Sequence, residues 1–196
     1  SYDNHQWEYR WGYYVDKISL QALDTSNVTN MSAMFNQDDQ LASLDLGDKF
    51  VTSKVTNMSA MFSECRLLSS LDVSKFDTSQ VETMGGMFMG CSRLKSLDLS
   101  SFNTSNVKSM SSMFGASVNY LSCYNLQSLN LGENFDTSNV IYMDSMFEGC
   151  SGLQTLDLGD KFDTSSVTNM QSMFEGCNKL KSLDLSSFNT SKVVNM

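Results

Sequence analysis

Apolar residues return along this chain in a fixed order. Val28, Val55, Val81, Val107, Val140, Val167 and Val193 are each followed by Met three positions on. In the first six copies a Met-Phe pair follows at six and seven positions, as in Met34-Phe35 and Met173-Phe174. Apolar residues at 0, +3, +6 and +7 mark one face of a helix, so the spacing predicts one short helix per copy. The Thr-Ser pairs just before it, from Thr25-Ser26 to Thr190-Ser191, suit its N-cap. Between helices stands a motif such as Leu97-Asp98-Leu99, whose alternation predicts a strand with one buried face. A helix of at most about 10 residues is unstable alone. The copies must therefore stack as coils and bury one another's apolar faces.

The Val positions step by 27, 26, 26, 33, 27 and 26 residues. Two kinds of insertion account for the longer steps. Leu44 to Phe50, Leu129 to Phe135 and Leu156 to Phe162 span six residues, where Leu71 to Phe76 spans five. The step of 33 adds residues between Phe114 and Cys123. Stacked coils tolerate insertions at loops because a loop bulges outward without disturbing its neighbours. The organisation expected is an N-terminal cap segment, 1–19, and an array over 20–196 of about seven 26–27-residue repeats, the last incomplete.

The period also explains the composition. All 12 Phe and 13 of the 14 Met lie in phase, which assigns them to a core rather than to a hydrophobic ligand groove. Cys65, Cys91, Cys123, Cys150 and Cys177 each stand six residues before the Leu of the next motif. A zinc site needs close ligand pairs, and these are a whole coil apart. They read as buried structural thiols.

At this point the pattern resembles a known one. Leu97-Asp98-Leu99-Ser100-Ser101-Phe102-Asn103-Thr104-Ser105-Asn106-Val107, with its counterpart from Leu183 to Ser191, is similar to the BspA-like leucine-rich-repeat surface proteins. More closely it resembles the repeat, roughly 26 residues long, of bacterial surface proteins and lipoproteins, a domain family of unknown function. The likeness runs over about residues 20–196, and the insertion at Gly115–Ser122 departs from it. It implies an α/β repeat: a leucine-rich-repeat-like solenoid with a parallel β-strand ladder and one short helix per coil. It also implies an extracellular protein, on a bacterial cell surface or secreted, in adhesion or host contact. The family supplies no catalytic residue to carry over, and no cofactor.

The residues narrow the partners further. The formal net charge of −9 repels phosphate backbones, so nucleic acid is excluded as an expected partner. No apolar run reaches the ~18 residues of a membrane helix, so direct membrane insertion is not expected. A single histidine, His5, leaves no Ser/His/Asp arrangement, and no phosphate-binding glycine loop is present. The expected function is a non-catalytic adhesion or ligand-binding module contacting a host or matrix protein or glycan. The alternative is a passive structural spacer that displays other domains.

Candidate binding residues lie where the repeat is broken. Trp7, Tyr9, Trp11 and Tyr13 alternate along the first segment, which reads as a cap or as an aromatic platform for carbohydrate. Tyr120 and Tyr124 flank the insertion, and irregular loops on a regular scaffold tend to carry specificity. Asp45, Asp72, Asp98, Asp157 and Asp184 would stack into an acidic strip. It reads as a solvated face or as a weak Ca²⁺ strip, in which mutual repulsion should raise the inner carboxyl pKa values. Met196 stops at the apolar stripe of the seventh copy, so either repeats continue or chains associate end to end.

Overall fold

A computed structural model describes residues 15–116 and 122–196. The copies lie side by side in parallel register. Single parallel bridges join Asn30 to Asn57, Asn57 to Thr83, Thr83 to Ser109, Ser109 to Tyr142, Tyr142 to Asn169 and Asn169 to Asn195. Each of these residues stands two positions after the Val of its unit, so this ladder touches all seven units at one place.

The expected leucine-rich-repeat-like α/β solenoid with a helix in every coil is not what forms. Among the described residues there is no helix. The regular strands are four segments of three residues: β1 (Lys17–Ser19), β2 (Ser43–Asp45), β3 (Ser96–Asp98) and β4 (Ser128–Asn130). They make two separate two-stranded parallel sheets, β1 with β2 and β3 with β4, in place of one ladder. Ile18 faces Leu44 and Leu97 faces Leu129 across these pairs. The Leu71-Asp72-Val73 unit between β2 and β3 forms no strand.

Backbone conformation explains the missing helix. Five positions after Val, φ is positive in six units: Ala33, Ala60, Gly86, Ser112, Ser145 and Ser172. Nine positions after Val it is positive again at Gln37, Glu64, Gly90, Gly149 and Gly176. An α-helix needs φ near −63°, so two such residues four apart interrupt it. The N–H groups then alternate in direction. In the first unit those of Met31, Ala33, Phe35 and Gln37 donate to Asn57, Ser59, Met61 and Ser63 in the next unit, at 2.8–2.9 Å. Those of Met34, Asn36 and Asp38 close turns onto residues three back. The second unit repeats the scheme, Ala60 donating to Gly85 and Phe62 to Met87. Hydrogen bonds that a helix would make within itself are spent between units.

This zigzag buries the same side chains that a helix face would. Val, both Met and Phe are fully buried in the second to fifth units. Phe35, Phe62, Phe88, Phe114, Phe147 and Phe174 form one column, with neighbouring rings 5.4–5.8 Å apart and within 9° of parallel. A second column holds Phe50, Phe76 and Phe102, and Phe162 with Phe188. Offset stacking adds to the area each ring removes from water.

Candidate functional site

The polar ladders are largely occupied in holding units together. Thr25, Thr52, Thr78, Thr104, Thr137 and Thr164 are buried. They cap no helix. The Thr52 hydroxyl donates to the Asp77 carbonyl of the next unit at 2.9 Å and accepts from the Asp77 N–H at 2.8 Å. Thr78 makes the same pair with Asn103, and Thr164 with Asn189. Thr104 and Thr137 donate to Asp136 and Asp163, both at 2.8 Å. The Asp before Thr25, Thr78 and Thr164 turns on itself instead, Asp24, Asp77 and Asp163 accepting from the N–H of Ser26, Ser79 and Ser165.

All five thiols are free. Cys65, Cys91 and Cys123 donate to the carbonyls of Phe35, Phe62 and Phe88 in the preceding unit, each at 3.1 Å. Cys177 reaches Phe147 at 3.2 Å. Burial pushes the thiols of Cys65 and Cys123 up to about 12 and that of Cys177 to about 11. Such thiols hold their protons and are poor nucleophiles.

The acidic strip differs from expectation. Asp45, Asp72, Asp98 and Asp184 are exposed, and their carboxyls lie below the usual range, not above it. Hydrogen bonds to the charged form outweigh repulsion between neighbours that water screens. For Asp45 the largest cause is the Gln21 amide at 2.7 Å, followed by the Gly47 N–H. For Asp98 it is the Ser100 N–H, with help from the Asn130 amide at 2.9 Å. Asp157 likewise accepts from the Gly159 N–H at 3.0 Å. Among the described residues no three His, Cys, Asp or Glu side chains come together as a group able to hold a metal ion.

Two grooves open on this edge of the molecule. The smaller, about 300 Å³, lies beside the loop from Leu44 to Phe50 and includes Asp45, Asp48, Asp72 and Lys75. The larger, about 540 Å³, lies between the two loops that run from Leu129 and from Leu156. Its lining includes Leu131, Glu133, Asn134, Asp157, Leu158 and Lys161. Both grooves adjoin loops that carry the extra residue. Tyr142, 49% exposed, is the one aromatic on the bridge ladder, and Tyr124 is 45% exposed. Trp7, Tyr9, Trp11, Tyr13 and Tyr120 lie outside the described residues, so of the sequence-predicted aromatics only Tyr124 is placed, and it lines neither groove.

The groove residues Glu133, Gly159, Asp160 and Lys161 and the bridge-ladder residue Tyr142 were not among the candidates read from sequence. A signal existed for both. Leu129–Phe135 and Leu156–Phe162 are the one place where two six-residue spacings follow each other. At the position of Tyr142 the other units carry Asn, Thr or Ser.

These features define a tandem-repeat protein whose units bond along one shared ladder and differ at a loop edge. Residues 39–130 and 121–196 match the family described as Mycoplasma protein of unknown function, DUF285, and the chain belongs to that family. No curated protein matches the sequence. Among the described residues no helix is long and apolar enough to cross a membrane.

Proposed function

We propose that this chain is a non-catalytic binding module of a bacterial surface protein, contacting a host or matrix protein or glycan. The observation that carries the reading is the groove of about 540 Å³ between consecutive loops. Its volume is that of ordinary ligand sites, and it combines a few polar groups with apolar ones. Glu133 and Asp160, in its lining, are exposed. The resemblance to adhesion-associated surface repeats points the same way.

The test is retention of the full chain on immobilised matrix proteins and on a glycan panel, measured by surface plasmon resonance. Glu133→Gln/Asp160→Asn and Tyr124→Ala are run beside it. Saturable binding reduced by either variant supports the module and says which face binds. Absence of binding across the panel would sink the proposal in favour of a passive spacer.

A further inference from the structure

We infer that the larger groove receives a basic side chain, Arg or Lys, from a peptide segment of the partner. This rests on the binding-module reading and names the chemistry of its site.

The groove exists because two longer loops follow each other. Gly47 and Gly132 each pack on the unit before them. A Cβ added at Gly47 would meet the Gln21 Cα at 2.7 Å, and one at Gly132 the Ser100 Cα at 2.5 Å. A Cβ added at Gly159 would meet nothing within 4 Å. The preceding loop is also one residue longer, none of its atoms comes within 4 Å of that Cβ, and the groove lies between the two loops.

Its chemistry is amphipathic. Leu131 and Leu158, both mostly buried, supply an apolar wall. Glu133, Asp157 and Asp160 bring three carboxylates against one cation, Lys161. The Lys161 ammonium donates to the Asn134 amide oxygen at 3.1 Å, and among the described residues none of the three carboxylates has an ion-pair partner. The carboxylates do not converge as a metal group. An Arg or Lys side chain fits this arrangement, because its aliphatic stem covers leucine while its head meets carboxylate. No aromatic ring lines the groove, so a sugar would lack a stacking surface.

The smaller groove displays the same recognition within the molecule. There Lys75, supplied by the five-residue loop that follows, pairs with Asp48 and lies near Asp45 and Asp72. The protein's own lysine lines the acidic groove whose following loop is short and pairs with one of its carboxylates. Where both loops are long, the corresponding Lys161 turns to Asn134 and the place is open. The overall charge of −9 would also draw a basic segment in.

The probe is a fluorescein-labelled peptide of Gly and Ser around two Arg residues, with Gln replacing Arg in the control. Fluorescence polarisation is followed with the full chain. Binding of the Arg peptide should exceed that of the Gln peptide by at least roughly tenfold and fall as salt rises. Glu133→Gln/Asp160→Asn should abolish most of that difference with an unchanged melting curve, since both residues are exposed. Asp48→Asn/Asp72→Asn, which removes the same charge from the smaller groove, should leave it intact. Equal binding of both peptides, no binding of either, or equal loss in the two double variants overturns the inference. If the chain still binds the matrix or glycan panel, the module reading stands without it.

Discussion

On the Val side of the repeat, parallel bridges run without a break from Asn30 to Asn195. On the Leu side, pairing is confined to two isolated pairs of three-residue strands. What differs is where the backbone hydrogen bonds go. From Met to Phe every second N–H of the first five units is committed to the next unit, and no copy gains or loses a residue there. From Leu to the next Phe most units lack that commitment, and lengths of five and six coexist. Continuity of inter-unit bonding forbids insertion, and its absence permits the loops that open grooves.

The sharpest way to break this contrast is to shorten each side by one residue. Removing Ser111 puts every later donor of that unit out of register with its acceptors, and cooperative thermal unfolding should be lost. Removing Asp160 converts a six-residue loop to five and should move the melting temperature by only about 2–4 °C. Similar losses in both would show that the two sides are equally constrained. Alkali comes next. The thiols titrate near 9.0 when unfolded, but Cys65 and Cys123 hold their protons to about 12 in the fold. Their contribution is complete below pH 9 and is lost as pH rises toward 12. Thiolate absorbance should therefore appear together with loss of circular dichroism. Thiolate forming near pH 9 in a still-native protein would contradict the buried ladder.

Smaller effects separate the parts of the Val side. Phe114, stacked on both faces, should cost about 3–5 kcal/mol as Phe114→Ala in denaturant unfolding. Half-buried Phe188 should cost less. Thr104→Val removes the bond to the Asp136 carbonyl and should cost about 1–3 kcal/mol, while Thr104→Ser should recover most of it. Equal losses in the two would mean that packing, not the hydroxyl, is responsible. The smallest change is expected on the Leu side. Asp98→Ala removes two exposed bonds, from the Ser100 N–H and the Asn130 amide, so its melting temperature should stay closest to that of the parent.

The repeat itself was legible from residue spacing, and with it the burial of Val, Met, Phe and Cys. The path between those residues was not. Apolar positions at 0, +3, +6 and +7 suit a helix face, yet they suit equally a chain that turns twice with left-handed residues between. Gly86, Gly90, Gly149 and Gly176 were the available hint, but Ala60 and Glu64 hold the same conformation and hid it. The Thr hydroxyls were read as local caps because sequence does not say whether a hydroxyl serves its own unit or the next. The direction of the carboxyl shifts along the acidic strip was hidden for a related reason. Asp45 and Asp98 have amide neighbours, Gln21 and Asn130, that only the folded chain brings beside them. Lengths of five and six were visible, but that two long loops in succession leave a space is a fact of three dimensions.

Gly132 and Gly159 differ only in what stands behind them, a short loop or a long one. Loop length thus works as a letter, and a site is spelled by two letters in succession. Adding one residue to the loop before Phe102 should write a new groove against Phe135's loop without altering the parent frame. A set of such edits would yield a family of grooved surfaces on one scaffold, each addressable by position along the array.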